Sequence, residues 1–288
     1  MHQIKTGFKL FFQSIIFTFK HAQLYLYIGA YFVIHHTINY LLFPSLNLDI
    51  QSLNEGITMT GDYKAGISSS FNTLFLLGIL FNIVSFIFFY VLIIGITDYT
   101  SHLLHKQSET IMHSVKKGLS HLGSIFGYGI LKLAFSLLSL IIAFAIYALV
   151  PGVVNFANNM TIPTLIKIMV GIAPFAIIYF IYEAITFYFF PAITLSEISF
   201  FDALHKSWRL VLKTFFAIIT FLILWSILTA LVALFIPVSI NMPVKVMFGT
   251  SVATAIASIF SYTIFTVFKT ILYEKANGTL PKQYDPEK

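Results

Sequence analysis

The sequence predicts an all-α fold: a polytopic transmembrane helical bundle of about six spans plus short amphipathic interfacial helices, possible as three pseudo-repeated hairpin units. Three observations predict it. Of 288 residues, 58% are hydrophobic and 10% charged, against roughly 45–50% and about 25% in a soluble domain. So little charge cannot cover a water-facing surface, whereas a lipid-facing one needs none. Apolar stretches of about 20 residues or more, the length a bilayer requires, recur along the chain. Pro44, Pro151, Pro191 and Pro237 each follow one, where a missing N–H and a fixed φ end a helix. Finally, Lys and Arg are shared unevenly between alternate loops.

The first 21 residues carry Lys5, Lys9, Lys20 and His21 around Phe8, Phe11, Phe12, Ile15, Ile16 and Phe19. Apolar residues three and four apart predict an amphipathic helix lying in the interface. A polar break at Lys20–Gln23 and the lack of a small-residue cleavage site argue against a signal peptide. Span 1 is expected at about 24–43, followed by a polar, mostly acidic outer loop. Span 2 is expected at about 71–96 and leads into a basic, His-rich loop. Span 3 covers about 124–150 and span 4 about 164–190. A second basic helix, with Lys206, Arg209 and Lys213, precedes span 5 at about 215–235, and span 6 covers about 246–272. Residues 1–273 form one transmembrane domain. Residues 274–288, with Gly278 and two prolines, form a polar cytoplasmic tail expected to be loosely ordered. No stretch has the composition of a separate soluble catalytic module.

Orientation follows from the positive-inside rule. The N-terminal segment, the 97–123 loop, the 195–214 loop and the C-terminal end counted from Lys269 hold 13 Lys and Arg; the alternate loops and span ends hold only Lys64, Lys167 and Lys245. Both termini are therefore expected in the cytoplasm, in an inner (plasma) membrane. The net charge of +6 reflects these loops, and no nucleic-acid partner is expected. The chain holds no Cys, which excludes disulfides, thiolate metal sites and Cys nucleophiles.

Three short basic stretches each lead into a pair of spans, around Phe11–Ile15, Lys116–Leu119 and His205–Trp208. Val115–Phe126 registers on Leu204–Phe215, and Ser14 and Lys20 fall on Ser207 and Lys213. One reading is three copies of a unit of interfacial helix, span, outer loop and span. The other is that cytoplasmic loops between spans tend to be basic and amphipathic. Ser199, three residues before Asp202, has the spacing of a helix N-cap and predicts a start near Phe200. Lys116, Lys117, Lys206, Arg209 and Lys213 are the basic candidates for anionic headgroups, each worth about 1 kcal/mol near a charged leaflet.

Spans rarely hold charges, so Lys132 and Glu183 stand out. Each lies about eight residues, roughly 12 Å, from the cytoplasmic end of its span. Three readings are open: a structural ion pair, independent snorkelling and hydrogen bonding, or a proton or substrate relay. His35 and His36 lie in span 1 about 100° apart on a helix and are expected to be neutral and hydrogen-bonded. Asp98, His102 and His105 share a helical face at i, i+4 and i+7. They form a weak candidate set for a divalent ion, with nothing to supply a fourth ligand. No Walker loop, GxSxG, dinucleotide GxGxxG or HExxH occurs. No catalytic residue, resident metal or cofactor is therefore expected.

The stretch Phe190-Pro191-Ala192, then Ser196-Glu197-Ile198-Ser199-Phe200-Phe201-Asp202-Ala203-Leu204-His205-Lys206-Ser207-Trp208-Arg209-Leu210-Val211, resembles a group of bacterial six-span membrane proteins of unknown function. That group shows a Pro-ended span, an acidic residue and a basic Trp-containing helix. Tyr273-Glu274 and Gly278-Thr279-Leu280-Pro281 look like the end of the same group. Its distant relatives include the membrane domain fused to some glycerophosphodiester phosphodiesterases. The resemblance implies the six-span fold and a bacterial inner membrane; it implies no catalytic residues.

The leading functional expectation is a non-enzymatic protein that organises the membrane, with membrane lipids, anionic headgroups above all, or a membrane protein as partner. The rival is a small transporter or channel using Glu183, Lys132 and His35 or His36, which predicts a polar cavity within the bilayer. A third reading, a membrane-embedded enzyme, predicts polar side chains converging at one leaflet.

Overall fold

The computed structural model describes residues 2–35, 37, 69–149, 177–178, 180–234 and 244–284, and every element among them is helical. In chain order these are α1 (His2–Lys20), α2 (Leu24–His35), α3 (Ser69–Leu104), α4 (Ile111–Ser120), α5 (Leu122–Leu149), α6 (180–186), α7 (Phe189–Ser196), α8 (Phe200–Leu234) and α9 (Val244–Asn277), with a 3₁₀ turn at Lys282–Tyr284. Among the described residues four helices are long and apolar enough to cross a membrane: Leu76–Leu104, Leu122–Ile142, Phe200–Leu228 and Ile256–Asn277. Leu24–His35 and Phe180–Ser196 are shorter apolar helices where spans 1 and 4 were expected. The rest of span 1, the 45–68 loop and the first part of span 4 with Pro174 lie outside the described residues.

α1 is the expected amphipathic helix, yet both of its sides are apolar. Leu10, Phe11, Ser14 and Phe17 are buried, while Ile4, Phe8, Phe12, Ile16 and Phe19 are exposed. The buried side packs on α8 and α9, and the exposed row suits lipid rather than water. Gly7 permits the approach: a Cβ there would stand 2.7 Å from the Ala217 carbonyl oxygen. Gln3 ties the start of α1 to α8, its Nε2 donating to the Lys213 carbonyl at 2.7 Å. Phe11 meets Phe221, and Phe221 stacks on Phe268 with ring centroids 3.6 Å apart. These contacts join α1, α8 and α9 through one aromatic cluster.

α4 crosses α3 at Gly118, where any Cβ would collide with the Val91 carbonyl. Thr110 caps α4 by accepting from the His113 amide. The 200–234 stretch contains neither Gly nor Pro, so the basic interfacial helix and span 5 form one continuous helix, α8, instead of two elements. Its start is where the capping signature placed it. The Asp202 amide donates to Ser199 Oγ at 3.3 Å, and that hydroxyl donates to Asp202 Oδ2 at 2.6 Å.

Two boundaries differ from expectation. Pro191 does not close span 4; the helix runs on to Ser196 after a turn at Phe187–Tyr188. The turn lies four residues before the proline, which has no N–H for the Phe187 carbonyl and whose ring crowds it. The Tyr188 amide donates to the buried Ser207 Oγ at 2.9 Å. The described part of the tail, 274–284, packs on the rest of the fold. α9 continues to Asn277, and Gly278, at φ 75°, closes it. The Thr279 amide donates to the Glu274 carbonyl at 2.9 Å and the Gly278 amide to the Lys275 carbonyl at 3.1 Å. Tyr284 then meets Phe17 of α1 at 5.8 Å. Apolar contact of Leu280 and Tyr284 with the core holds a segment whose composition alone reads as loose.

Candidate functional site

Six parts of the fold line a cavity of about 560 Å³. α3 contributes Phe89, Tyr90, Ile93 and Thr97, α5 contributes Tyr128 and Lys132, and α6 with its turn contributes Phe180, Glu183, Thr186 and Phe187. α7 supplies Phe190 and Pro191, α8 supplies Leu222, and α9 supplies Tyr262, Phe265, Thr266 and Lys269. The helical period puts these residues together. Glu183, Thr186, Phe187 and Phe190, and likewise Tyr262, Phe265, Thr266 and Lys269, are spaced i, i+3, i+4 and i+7.

Lys132 and Glu183 therefore do share a site, as their similar depth predicts, but no ion pair joins them among the described residues. Lys132 Nζ lies 5.7 Å from the centroid of the Phe86 ring. The third charge, Lys269, has no counterpart among the expected site residues, because counting placed it with the cytoplasmic C-terminal end. Its Nζ sits between two aromatic faces, 4.6 Å from the Phe187 centroid and 4.4 Å from that of Phe265. Such contacts favour a cation, more so away from water. The face shared by Tyr262, Phe265, Thr266 and Lys269 was the available signal: a lysine one turn beyond a polar-aromatic stripe, eight residues inside the end of α9.

The threonines of the cavity are partly committed. Thr97, Thr186 and Thr266 donate to the carbonyls of Ile93, Tyr182 and Tyr262 at 2.9, 2.9 and 2.8 Å. They retain lone pairs only, and the phenols of Tyr90 and Tyr128 are hydrogen-bonded to one another, so the donors left for an anion are the lysine ammonium groups and the Tyr262 phenol. Tyr128 is buried, with ring centroids 4.9 Å from Tyr90 and 4.8 Å from Phe190.

His35 is not part of this cavity. Its Nδ1 is 3.2 Å from the Ser85 hydroxyl, and its ring stacks on Tyr31 and Phe81. It is hydrogen-bonded, as expected; His36 lies outside the described residues. The rival site built on Lys132, Glu183 and a span 1 histidine is thus regrouped, with Lys269 in the place of His35.

Asp98 and His102 approach, His102 Nδ1 lying 3.6 Å from Asp98 Oδ2, but His105 does not join them. Asp98 is buried and accepts from Ser114 Oγ at 2.8 Å, which ties α3 to α4. His102 Nε2 is 3.2 Å from Glu109, and His113 approaches the same carboxylate at 3.4 Å. His105 turns to the buried Glu274 of α9 at 3.0 Å, and Ser101 Oγ donates to Glu274 at 2.6 Å. Among the described residues no group of three or more His, Asp or Glu is placed to hold a metal ion. Sharing a helical face was not enough to bring His105 to Asp98, because Glu274 of α9 engages it instead.

The basic interfacial residues divide in two. Lys117 pairs with Glu197, and Lys206 Nζ donates to Ser196 Oγ at 2.8 Å while lying 5.2 Å from the Tyr273 ring centroid. These two fasten α4 and α8 to the end of α7. Lys117 also holds the exposed Glu197 carboxyl below its ordinary range. Burial, then Lys117, lowers the pKa of His121. Lys116, Arg209 and Lys213 are exposed and make no ion pair among the described residues. They stand beside exposed Met112, Leu119, Trp208 and Leu212. Arg209 and Lys213 also line a groove of about 370 Å³ with His205, Lys206 and Asp202.

No family model, no curated protein and no solved structure matches the chain.

Proposed function

We propose that this chain is a bacterial inner-membrane protein of six spans with both termini cytoplasmic, and that it binds anionic lipid headgroups without catalysing a reaction. One observation carries the reading. Exposed Lys116, Arg209 and Lys213 sit on the same stretches as exposed Met112, Leu119, Trp208 and Leu212. Apolar side chains enter the acyl boundary while the cations meet phosphate above them. The repeat belongs to this proposal. What supports it is that Gly118 and Ser207, equivalent in the sequence register, are each buried where their helix meets a neighbouring one, and that Ser14, the third member, is buried on α1. A likeness to the six-span bacterial group agrees with this arrangement.

The test is lipid retention by the full chain in nanodiscs and by native mass spectrometry. Wild type is expected to prefer phosphatidylglycerol over phosphatidylcholine. The triple variant Lys116→Gln, Arg209→Gln, Lys213→Gln is expected to lose about two orders of magnitude of that preference at low salt, at about 1 kcal/mol per residue. Equal retention of both lipids by wild type overturns the proposal.

The cavity favours a second reading, transport, because three charges lie within spans. Its test is flux in proteoliposomes, where Glu183→Gln is expected to abolish movement that the surface triple variant leaves intact.

A further inference from the structure

We infer that the cavity bounded by Lys132, Glu183 and Lys269 is a binding site for a monoanionic amphiphile, its head held between the two lysines and its apolar body along the Phe walls. The inference concerns a different place from the interfacial lysines and arginine and does not rest on them.

Charge comes first. Lys132, Lys269 and Glu183 all line the cavity, two cations against one carboxylate. Glu183 acts electrostatically on Lys269, yet neither lysine lies within salt-bridge distance of it among the described residues. An unneutralised charge inside a bilayer is costly, so such groups mark ligand and ion sites. A ligand with one negative charge brings the site to neutrality; a cation worsens it, and a dianion overshoots. Both lysines stand well away from the helix ends. Lys132 is ten residues into α5 and Lys269 eight from the end of α9, about 15 and 12 Å along their helices at about 1.5 Å per residue.

Shape and lining come second. The volume, about 560 Å³, lies in the range of roughly 300–1,000 Å³ typical of small-molecule sites. Phe89, Ile93, Phe180, Phe190 and Leu222 offer no hydrogen bonds, so most of the ligand is apolar. The threonine hydroxyls are spent on backbone carbonyls and the Tyr90 and Tyr128 phenols on one another, which leaves the polar end of the ligand to the lysines and the Tyr262 phenol. That donor set serves an acceptor-only head, a carboxylate or a phosphate. Phe187 and Phe265 hold the Lys269 ammonium in position, so little rotamer freedom is lost when the head arrives.

The experiment uses the purified full chain in neutral detergent with doxyl-labelled stearic acid as probe. Trp225 packs against the Phe265 wall, with centroids 6.5 Å apart. A Trp208→Phe background makes it the single reporter, since the chain has two Trp. Saturable quenching is expected, and unlabelled laurate or the singly charged diester dodecyl methyl phosphate should displace the probe. Competition by one and not the other identifies the head as carboxylate or phosphate. The methyl ester of the same probe, equally apolar but uncharged, is expected to bind at least about tenfold more weakly, one lost charge-assisted contact being about 1.4 kcal/mol. Lys269→Met and Lys132→Met should each cost a similar factor, with Lys269→Arg restoring binding.

Equal quenching by acid and ester overturns the inference without any variant, so misfolding of a lysine mutant cannot shelter it. Loss of quenching in the Lys116, Arg209, Lys213 triple variant overturns it too, because the probe then sits at the surface. Unchanged quenching in that variant supports it, whether or not the surface residues prove to select phosphatidylglycerol.

Discussion

Single atoms decide several features of this protein. Gly7 is one: a Cβ there would reach 2.7 Å from a backbone oxygen and 2.9 Å from the Ala217 Cα, neither of which belongs to a flexible side chain. Gly7→Val is therefore expected to push α1 off α8 and to cost about 1–3 kcal/mol, measured as a lower midpoint of thermal unfolding in detergent. His121 offers a pH test. Burial and Lys117 lower its pKa from 6.5, with Glu197 and Asp98 acting the other way. The unfolded chain then takes up the proton first. This residue's contribution is intact above pH 6.5 and is lost as pH falls below it. His121→Gln is expected to flatten that part of the stability profile between pH 7.5 and 5.5. A wild-type and variant pair with parallel profiles would count against the assignment.

At the scale of the element, two helices meet a neighbour through one small residue, α4 on α3 at Gly118 and α8 on the turn before α7 at Ser207. Ser207 does this beneath the break before Pro191, where its hydroxyl oxygen accepts the Tyr188 N–H at 2.9 Å. Ser207→Ala leaves that buried donor without its partner, at an expected cost of about 1–3 kcal/mol. The same variant should speed hydrogen exchange at the Tyr188 amide while leaving the amides of α1 unchanged. The break itself was not legible at the proline. A proline after an apolar run reads as an end, but Ala192, Ile193 and Leu195 continue the apolar pattern and pack inward, so burial carried the helix past it. The capping signature at Ser199 and Asp202 was legible because it is local: two side chains three residues apart and one amide.

For the whole molecule, the testable statement is topology. The chain has no Cys, so single-Cys variants give a clean readout with a membrane-impermeant maleimide in intact cells. Asn54→Cys is expected to label from outside, and Gln283→Cys only after the membrane is opened. Labelling of Gln283→Cys in intact cells would refute the orientation drawn from the Lys and Arg distribution. The membrane class depends on totals and on runs of residues, and such quantities survive without coordinates: the four long apolar helices fall within or across the expected spans 2, 3, 5 and 6.

Alone, the sequence determined what can be summed or counted along one helix: apolar length, charge asymmetry, helical faces, the cap at Phe200 and the unusual depth of Lys132 and Glu183. The tertiary structure decided which faces meet. It separated His35 from the charged cavity, sent His105 to Glu274, docked Tyr284 on α1 and brought Lys269 alongside Lys132 and Glu183. The reason is physical. Period and propensity act over a few residues and leave their mark in local spacing, whereas the meeting of α5, α6 and α9 depends on side-chain packing between segments far apart in the chain, which no local pattern encodes.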